Sequence, residues 1–181
     1  MNLLGHECKH GASVSELAEN LRASARKNFD TDGYIRPIII LLFHGPAEGG
    51  LTPIFVLPEH FRDADDKSAF AASAKAIARQ RGAVAAVGIF EAWSVRGAAA
   101  PAALKWKEDH GGSLHDYPGR IEIAGFMLET RAGGVLQWEA PIERPEGAPP
   151  TLGEWTMLDP RAYAYGTFIG IIEPQRAEAQ A

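Results

Sequence analysis

A short apolar segment at residues 83–93, AVAAVGIFEAW, constrains this chain more than any other feature. It is built from Val, Ile, Phe, Ala, Gly and Trp, and its only charged residue is Glu91. A run of this length and composition is typical of a strand buried on both faces of a sheet. We therefore predict that residues 83–93 form the central strand, with Glu91 and Trp93 near its end.

The rest of the chain alternates between helical and strand-like patterns. Residues 14–28 repeat apolar side chains at helical spacing after a capping box at Ser13 and Glu16, and the alanine-rich residues 66–81 predict a second helix. Strand patterns occur at 34–43, 52–57, 120–130, 135–143, 154–158 and 165–172. This order, α-β-β-α-β-β-β-β-β, predicts an α+β fold with one largely antiparallel sheet of about six to seven strands and two helices packed on one face.

The length and composition predict one domain. A chain of 181 residues with 46% hydrophobic content can bury one ordinary core. We place the domain at residues 1–172, with a frayed N-terminus at 1–12 and a solvated tail at 173–181. Residues 94–119 show little periodicity and are predicted to form a long loop, and loops of this length are usually functional or disordered.

Charge and terminal sequence bear on location and partners. The net charge of −5 disfavours broad attraction to nucleic acid or to an anionic membrane. No apolar run approaches the roughly 20 residues that cross a bilayer, and the start lacks a signal-peptide pattern. The single Cys8 cannot form an internal disulfide. We expect a cytoplasmic protein without a membrane partner, for which nucleic acid is an unlikely partner. A third, weaker hypothesis is contact with nucleic acid if the two helices present one basic face, made of Arg22, Arg26, Lys27, Lys75 and Arg79.

The N-terminus carries the only pattern that suggests metal binding. His6, Cys8 and His10 stand at every second position, and all three are residue types that bind zinc. The spaced ligand pairs that mark a structural zinc site are missing from the sequence. We therefore expect no metal and no other cofactor.

Catalytic signals are few. The chain lacks GxSxG, HExxH, GxGxxG and a phosphate-binding GxxxxGK[ST] motif. His115 and Asp116 in the predicted loop have side chains suited to acid–base work, and Glu91 is a carboxylate at the end of a buried strand. These three residues are the catalytic candidates.

Glu91 allows three interpretations. It could be a structural carboxylate paired with Arg120 or Arg96, a functional carboxylate, or an exposed side chain. We favour the structural pair with Arg120. Trp93 shares the face of Glu91 on an extended strand, so Trp93 and Arg120 are the candidate binding residues.

The segments EAW at 91–93 and P-x-R-x-E at 118–122 resemble a pattern that recurs in uncharacterised bacterial and phage proteins. The resemblance covers about 100 residues and consists of these short motifs together with the helix, strand and hairpin around them. It implies a common fold and a relationship between Glu91 and Arg120, and it implies no established activity.

Taken together, these patterns favour a non-enzymatic binding or assembly protein, cytoplasmic or phage-associated. It would act through a protein partner or through self-association as a homodimer, using exposed strand edges or the 135–143 arm. The alternative is a small-substrate hydrolase that uses Glu91, His115 and Asp116 in a pocket covered by the loop.

Overall fold

The computed structural model of the protein describes residues 14–46, 50–58, 61, 64–110, 114–132, 134–159 and 170–172. Within these residues the chain forms three α-helices and one sheet of seven strands. The helices are α1 (Val14–Asp32), α2 (Ala64–Arg81) and α3 (Ala100–Asp109). The strands are β1 (Ile38–His44), β2 (Leu51–Val56), β3 (Ala85–Ser94), β4 (Ile121–Thr130), β5 (Val135–Glu143), β6 (Thr151–Leu152) and β7 (Thr156–Met157).

The sheet has the order β2-β1-β3-β4-β5-β6, and β7 also pairs with β5. Every pair is antiparallel, which confirms the predicted α+β class with one antiparallel sheet. The strand β3 lies inside the sheet between β1 and β4, as its apolar sequence predicts. The first half of β3 is buried and its second half is half-buried, so the strand leads from the core to a partly exposed end.

The two long helices cover opposite faces of the sheet. Leu17, Ala25 and Phe29 of α1 pack with Val87 and its same-face neighbours, whereas Ala74 and Ala78 of α2 pack on the other face. The prediction that both helices lie on one face is therefore wrong. Strands β1, β3 and β4 carry apolar side chains on both faces, and each face needs a cover to exclude water.

This arrangement also removes the shared basic face on which nucleic-acid binding would depend. The helices that carry Arg22 and Lys75 lie on opposite sides of the sheet. Arg22 and Arg26 also turn toward the sheet and the β6 segment, with Arg26 Nη1 donating to Leu152 O at 2.8 Å.

The region at 94–119 is more ordered than its sequence predicts. A short 3-10 helix at Gly97–Ala99 leads into α3, which has Pro101 in its first turn. Proline is tolerated there, and the Ala, Leu, Lys and Glu residues that follow are good helix formers. Because residues 97–103 consist of Ala, Gly and Pro, the sequence did not indicate that a helix begins there.

The end of the sheet also differs from the sequence prediction. Strand β6 forms at Thr151–Leu152, where the sequence predicted no strand, and β7 occupies only Thr156–Met157 of the strand predicted at 154–158. Most of the predicted strand at 165–172 lies outside the described residues. Its last part, residues 170–172, is not in a strand, and Ile171 and Ile172 are buried against the face that α2 covers.

Candidate functional site

Glu91 is part of an ion-pair network on the α1 face of the sheet. Arg144, directly after β5, donates from Nη2 to both Glu91 carboxylate oxygens at 3.2 Å. The backbone N–H of Ile35 donates to Glu91 Oε1 at 2.7 Å. Arg144 Nε also donates to both oxygens of Glu122, at 2.9 and 3.0 Å, and Arg144 Nη1 donates to Gly33 O at 2.8 Å. Glu91 is therefore held by structural partners.

Opposing effects act on the pKa of Glu91. Burial raises the pKa of Glu91 above its ordinary value, and the neighbouring Glu122 carboxylate acts in the same direction. The Ile35 N–H and the Arg144 guanidinium partly offset this rise. Because desolvation is the largest cause, Glu91 takes up its proton more readily than an exposed glutamate does.

The predicted Glu91–Arg120 pair is wrong, and the strand register explains why. Trp93 pairs with Glu122, and the last β3–β4 pair joins Ser94 to Ile121. Arg120 lies one residue beyond that pair, so its nearest same-face neighbour on β3 is Trp93. The Arg120 guanidinium carbon lies 4.7 Å from the centre of the Trp93 ring. The other proposed partner, Arg96, forms an ion pair with Glu139.

The two predicted binding residues, Trp93 and Arg120, are thus in direct contact, and further rings surround them. The His115 ring meets Trp93 edge-on at 5.6 Å between ring centres. The Trp106 ring of α3 stacks on His110 at 3.7 Å and meets Tyr117 edge-on at 5.7 Å. We call this set the aromatic platform, and its members are Trp93, Trp106, His110, His115, Tyr117 and Arg120.

The local structure of three segments forms the aromatic platform. The end of β3 carries Trp93, helix α3 carries Trp106 and is capped by His110 four residues later, and the turn at 114–120 carries the rest. The turn is closed by N–H donation from Arg120 to Tyr117 O at 3.2 Å. The i, i+4 spacing of Trp106 and His110 was a sequence signal for their contact, but it needs a helix that the sequence analysis missed.

The rings of the aromatic platform are accessible. Trp93, Trp106 and Tyr117 are half-buried, and the His115 side chain is 64% exposed. Arg120 Nε is shielded from solvent and has no hydrogen-bond partner, so it does not contribute to the accessible surface. Half-exposed Trp and Tyr rings can contact an apolar surface on another molecule.

The three catalytic candidates do not form one hydrogen-bonded group. The Glu91 carboxylate bonds with Ile35 and Arg144, and with neither His115 nor Asp116. His115 Nε2 lies 3.9 Å from Asp116 Oδ1, and both side chains are well exposed. His115 lies against Trp93 at the aromatic platform.

Two buried carboxylates on the α2 face escaped the sequence analysis. Glu129 is 2% exposed and accepts N–H bonds from Gly170 at 2.5 Å and Ile172 at 2.9 Å. Glu139 is 6% exposed and pairs with Arg96. Side chains two residues apart on a strand share a face, so Glu129 shares a face with Met127, and Glu139 shares a face with Gln137. The alternation in the sequence does not show that other elements cover this face.

Both outer edges of the sheet are altered in ways that hinder strand pairing. At β5, the edge is occupied by β6 and β7, and Gly153 N donates to Pro141 O at 2.8 Å. At β2, Gly45 N donates to Gly50 O at 2.8 Å, which makes these residues a hydrogen-bonded pair. Hydrogen-bonded and non-hydrogen-bonded pairs alternate along antiparallel strands, so Leu42–Pro53, three pairs further along, is a non-hydrogen-bonded pair. The Pro53 nitrogen therefore faces outward, where it supplies no donor to an added strand.

The described residues contain no cluster of three or more His, Cys, Asp or Glu side chains arranged to hold a metal ion. The candidates His6, Cys8 and His10 lie outside the described residues. None of the helices described has both the length and the apolar character required to span a bilayer.

Comparison of the chain with protein-family models, with curated proteins and with solved structures finds no match.

Proposed function

We propose that this protein is a non-enzymatic binding protein that contacts another protein molecule through the aromatic platform. One observation carries the proposal: one turn holds two half-buried tryptophans from separate elements, Trp93 of β3 through Arg120 and Trp106 of α3 through Tyr117. Trp, Tyr and Arg are the residue types that contribute most to binding energy at protein interfaces.

The packing within the aromatic platform suits it to this role. Trp106 is fixed between His110 and Tyr117, and Trp93 is fixed between Arg120 and His115. Side chains already held in one position lose little conformational entropy when a partner binds.

The state of the carboxylates supports binding over acid–base chemistry. Glu91 and Glu122 share Arg144, Glu129 accepts two backbone N–H groups, and Glu139 pairs with Arg96. A general base must reach a substrate proton within hydrogen-bond distance. Each of these groups already holds a structural partner, so none is left available for that task.

The sheet edges support a side-chain surface as the contact site. Pro53 removes an outward donor from β2, and β6 and β7 occupy the edge of β5. Natural proteins use proline and edge-covering segments to prevent strand addition. The predicted contact through the 135–143 arm would need these short strands to detach.

The test compares three versions of the full chain: the wild type, Trp106→Ala and Val135→Ala. Trp106 belongs to the aromatic platform, whereas Val135 is a similarly accessible apolar residue, 39% exposed, at the start of β5. Each version is used to co-purify partners from the source cells, and its self-association is followed by sedimentation velocity. Circular dichroism checks that each version is folded.

We expect the wild type and Val135→Ala to recover the same partner or to form the same dimer, and Trp106→Ala to lose that interaction by about tenfold or more. The sedimentation arm separates a second copy of this chain from a different protein. Equal recovery by all three versions, or a strict monomer with no specific partner, would contradict the proposal.

A further inference from the structure

Arg22 of α1 points toward the sheet and lies over aromatic rings. Its guanidinium carbon is 4.1 Å from the centre of the Trp138 ring and 5.4 Å from that of Phe126. Phe126 also meets Trp138 and Trp155 edge-on, at 5.5 and 6.3 Å between ring centres. A cation and three aromatic rings therefore share one region between α1 and strands β4 and β5, on the opposite half of the sheet from β2.

Two hydrogen-bond donors in this region have no acceptor. Arg22 Nη1 and Trp155 Nε1 are each shielded from solvent, and neither has a hydrogen-bond partner. A buried donor without an acceptor costs about 1–3 kcal/mol, and more when the group is charged. Both donors belong to side chains that contact the same Phe126 ring.

The charge of Arg22 is also uncompensated. No ion pair involves Arg22 in the described part of the chain, and the Glu19 carboxylate of the same helix, whose residue is exposed, acts on it only at a distance. Burial lowers the pKa of Arg22, with Glu19 opposing the change. One turn further along α1, Arg26 is satisfied by Leu152 O, Gly153 O and Glu154. Of these two arginines of α1, Arg26 therefore has acceptors and an ion pair among the described residues, and Arg22 has neither.

The surface beside these donors is apolar. Met157 of β7 pairs with Trp138, and Leu136 lies two residues before Trp138 on the same face of β5. Met157 is 56% exposed and Leu136 is 36% exposed. The strand β7 contains only two residues, and segments with so few ladder bonds open locally at small cost.

We propose that this region binds a small apolar carboxylate, whose oxygens accept from Arg22 Nη1 and Trp155 Nε1 and whose apolar body lies on Leu136 and Met157. A carboxylate supplies both missing acceptors and the missing negative charge. The site is separate from the aromatic platform and does not depend on its function.

The probe is benzoate, with benzamide as its uncharged counterpart and inorganic phosphate as an anion without an apolar body. Binding to the full chain is followed by the indole N–H resonances in a two-dimensional NMR spectrum, and affinities are measured by calorimetry. The Trp155 resonance is identified by its loss in Trp155→Phe, which keeps a ring and removes the donor. We expect benzoate to shift the Trp155 N–H saturably and to bind at least about tenfold more tightly than benzamide or phosphate.

Variants locate the binding. Arg22→Gln and Trp155→Phe should each weaken benzoate binding by about tenfold or more, whereas Arg79→Gln, which changes an exposed arginine of α2, should leave it unchanged. Because Trp155→Phe keeps an aromatic ring in place, it tests the site even if Arg22→Gln fails to fold. Absence of a saturable shift, equal binding of benzamide, or unchanged affinity in Trp155→Phe would overturn the proposal.

Discussion

Arg144 bonds to Glu91 from 53 residues further along the chain, with 3.2 Å between Arg144 Nη2 and each carboxylate oxygen. The same guanidinium holds Glu122 of β4 and the backbone oxygen of Gly33 directly after α1. One side chain thus connects the end of β3, strand β4 and the segment that follows α1. The ion-pair network fastens the first helix to the centre of the sheet.

Replacing Arg144 should destabilise the fold. Arg144→Met leaves the Glu91 and Glu122 carboxylates close together with no cation between them. Because Arg144 is partly exposed, we expect a loss of about 1–2 kcal/mol in unfolding free energy, measured by urea denaturation. Arg36→Met, which removes an exposed arginine that bonds the exposed Tyr34, should leave the unfolding free energy unchanged within experimental error. Equal effects of the two changes would contradict the role of the network.

The raised pKa of Glu91 predicts a pH dependence of stability. A carboxylate whose pKa is raised by folding binds its proton more tightly in the folded protein than in the unfolded chain. Its contribution to stability is therefore largest at low pH and is lost as the pH rises from its ordinary value of 4.5 through the raised value. The unfolding free energy of the wild type relative to Glu91→Gln should fall as the pH rises from about 4 to about 7.

Urea denaturation at several pH values measures this difference. Gln80→Ala, an uncharged change at an exposed position of α2, is the control and should follow the wild type at every pH. A wild-type advantage over Glu91→Gln that stays constant or grows with pH would show that burial does not dominate at Glu91.

Glu129 should hold the segment at 170–172 against the sheet. In Glu129→Gln one carboxylate oxygen becomes an amide donor that faces another donor, either the Gly170 N–H or the Ile172 N–H. We expect a loss of about 1–3 kcal/mol in stability and faster hydrogen exchange at these two amides. Unchanged exchange at Gly170 and Ile172 would show that the contact with Glu129 is not what holds this segment.

Phe90 needs the space that Gly125 leaves on the neighbouring strand. A Cβ atom at Gly125 would lie 2.5 Å from Phe90 Cε2, whereas a Cβ atom at Gly88 would lie 3.6 Å from its nearest neighbours. Gly125→Ala should therefore cost about 1–3 kcal/mol, and Gly88→Ala should be tolerated with less than about 1 kcal/mol. Adding Phe90→Leu to Gly125→Ala should recover part of the loss in a double-mutant cycle, and equal costs at the two glycines would contradict this packing.

The sequence predicts the elements of this fold better than their spatial arrangement. The apolar run at 83–93 identifies β3 as an interior strand because burial on both faces leaves no polar alternation. Which face of the sheet each of α1 and α2 covers depends on how the strands with two apolar faces are placed in the sheet. That placement is known only once the sheet is assembled. Helix α3 was missed because its start is rich in Ala, Gly and Pro.

The candidate site shows the same difference. Trp93 and Arg120 could be chosen from the sequence because each borders a strand end, and the structure brings them into contact. The partner of Glu91 could not be chosen, because Arg144 reaches Glu91 across β4 and that geometry depends on register. Trp106 joins the aromatic platform only through a helix that the sequence analysis did not predict.

Photo-crosslinking at α3 tests the binding function most directly. A benzoylphenylalanine placed at Ala102, an exposed residue one turn before Trp106 on the same face of α3, should form a specific crosslinked product in the source cells, and Trp106→Ala should abolish it. The same probe at Val135, 39% exposed at the start of β5, should give no such product. Equal crosslinking at Ala102 and Val135, or an Ala102 product that persists in Trp106→Ala, would contradict a contact surface at the aromatic platform.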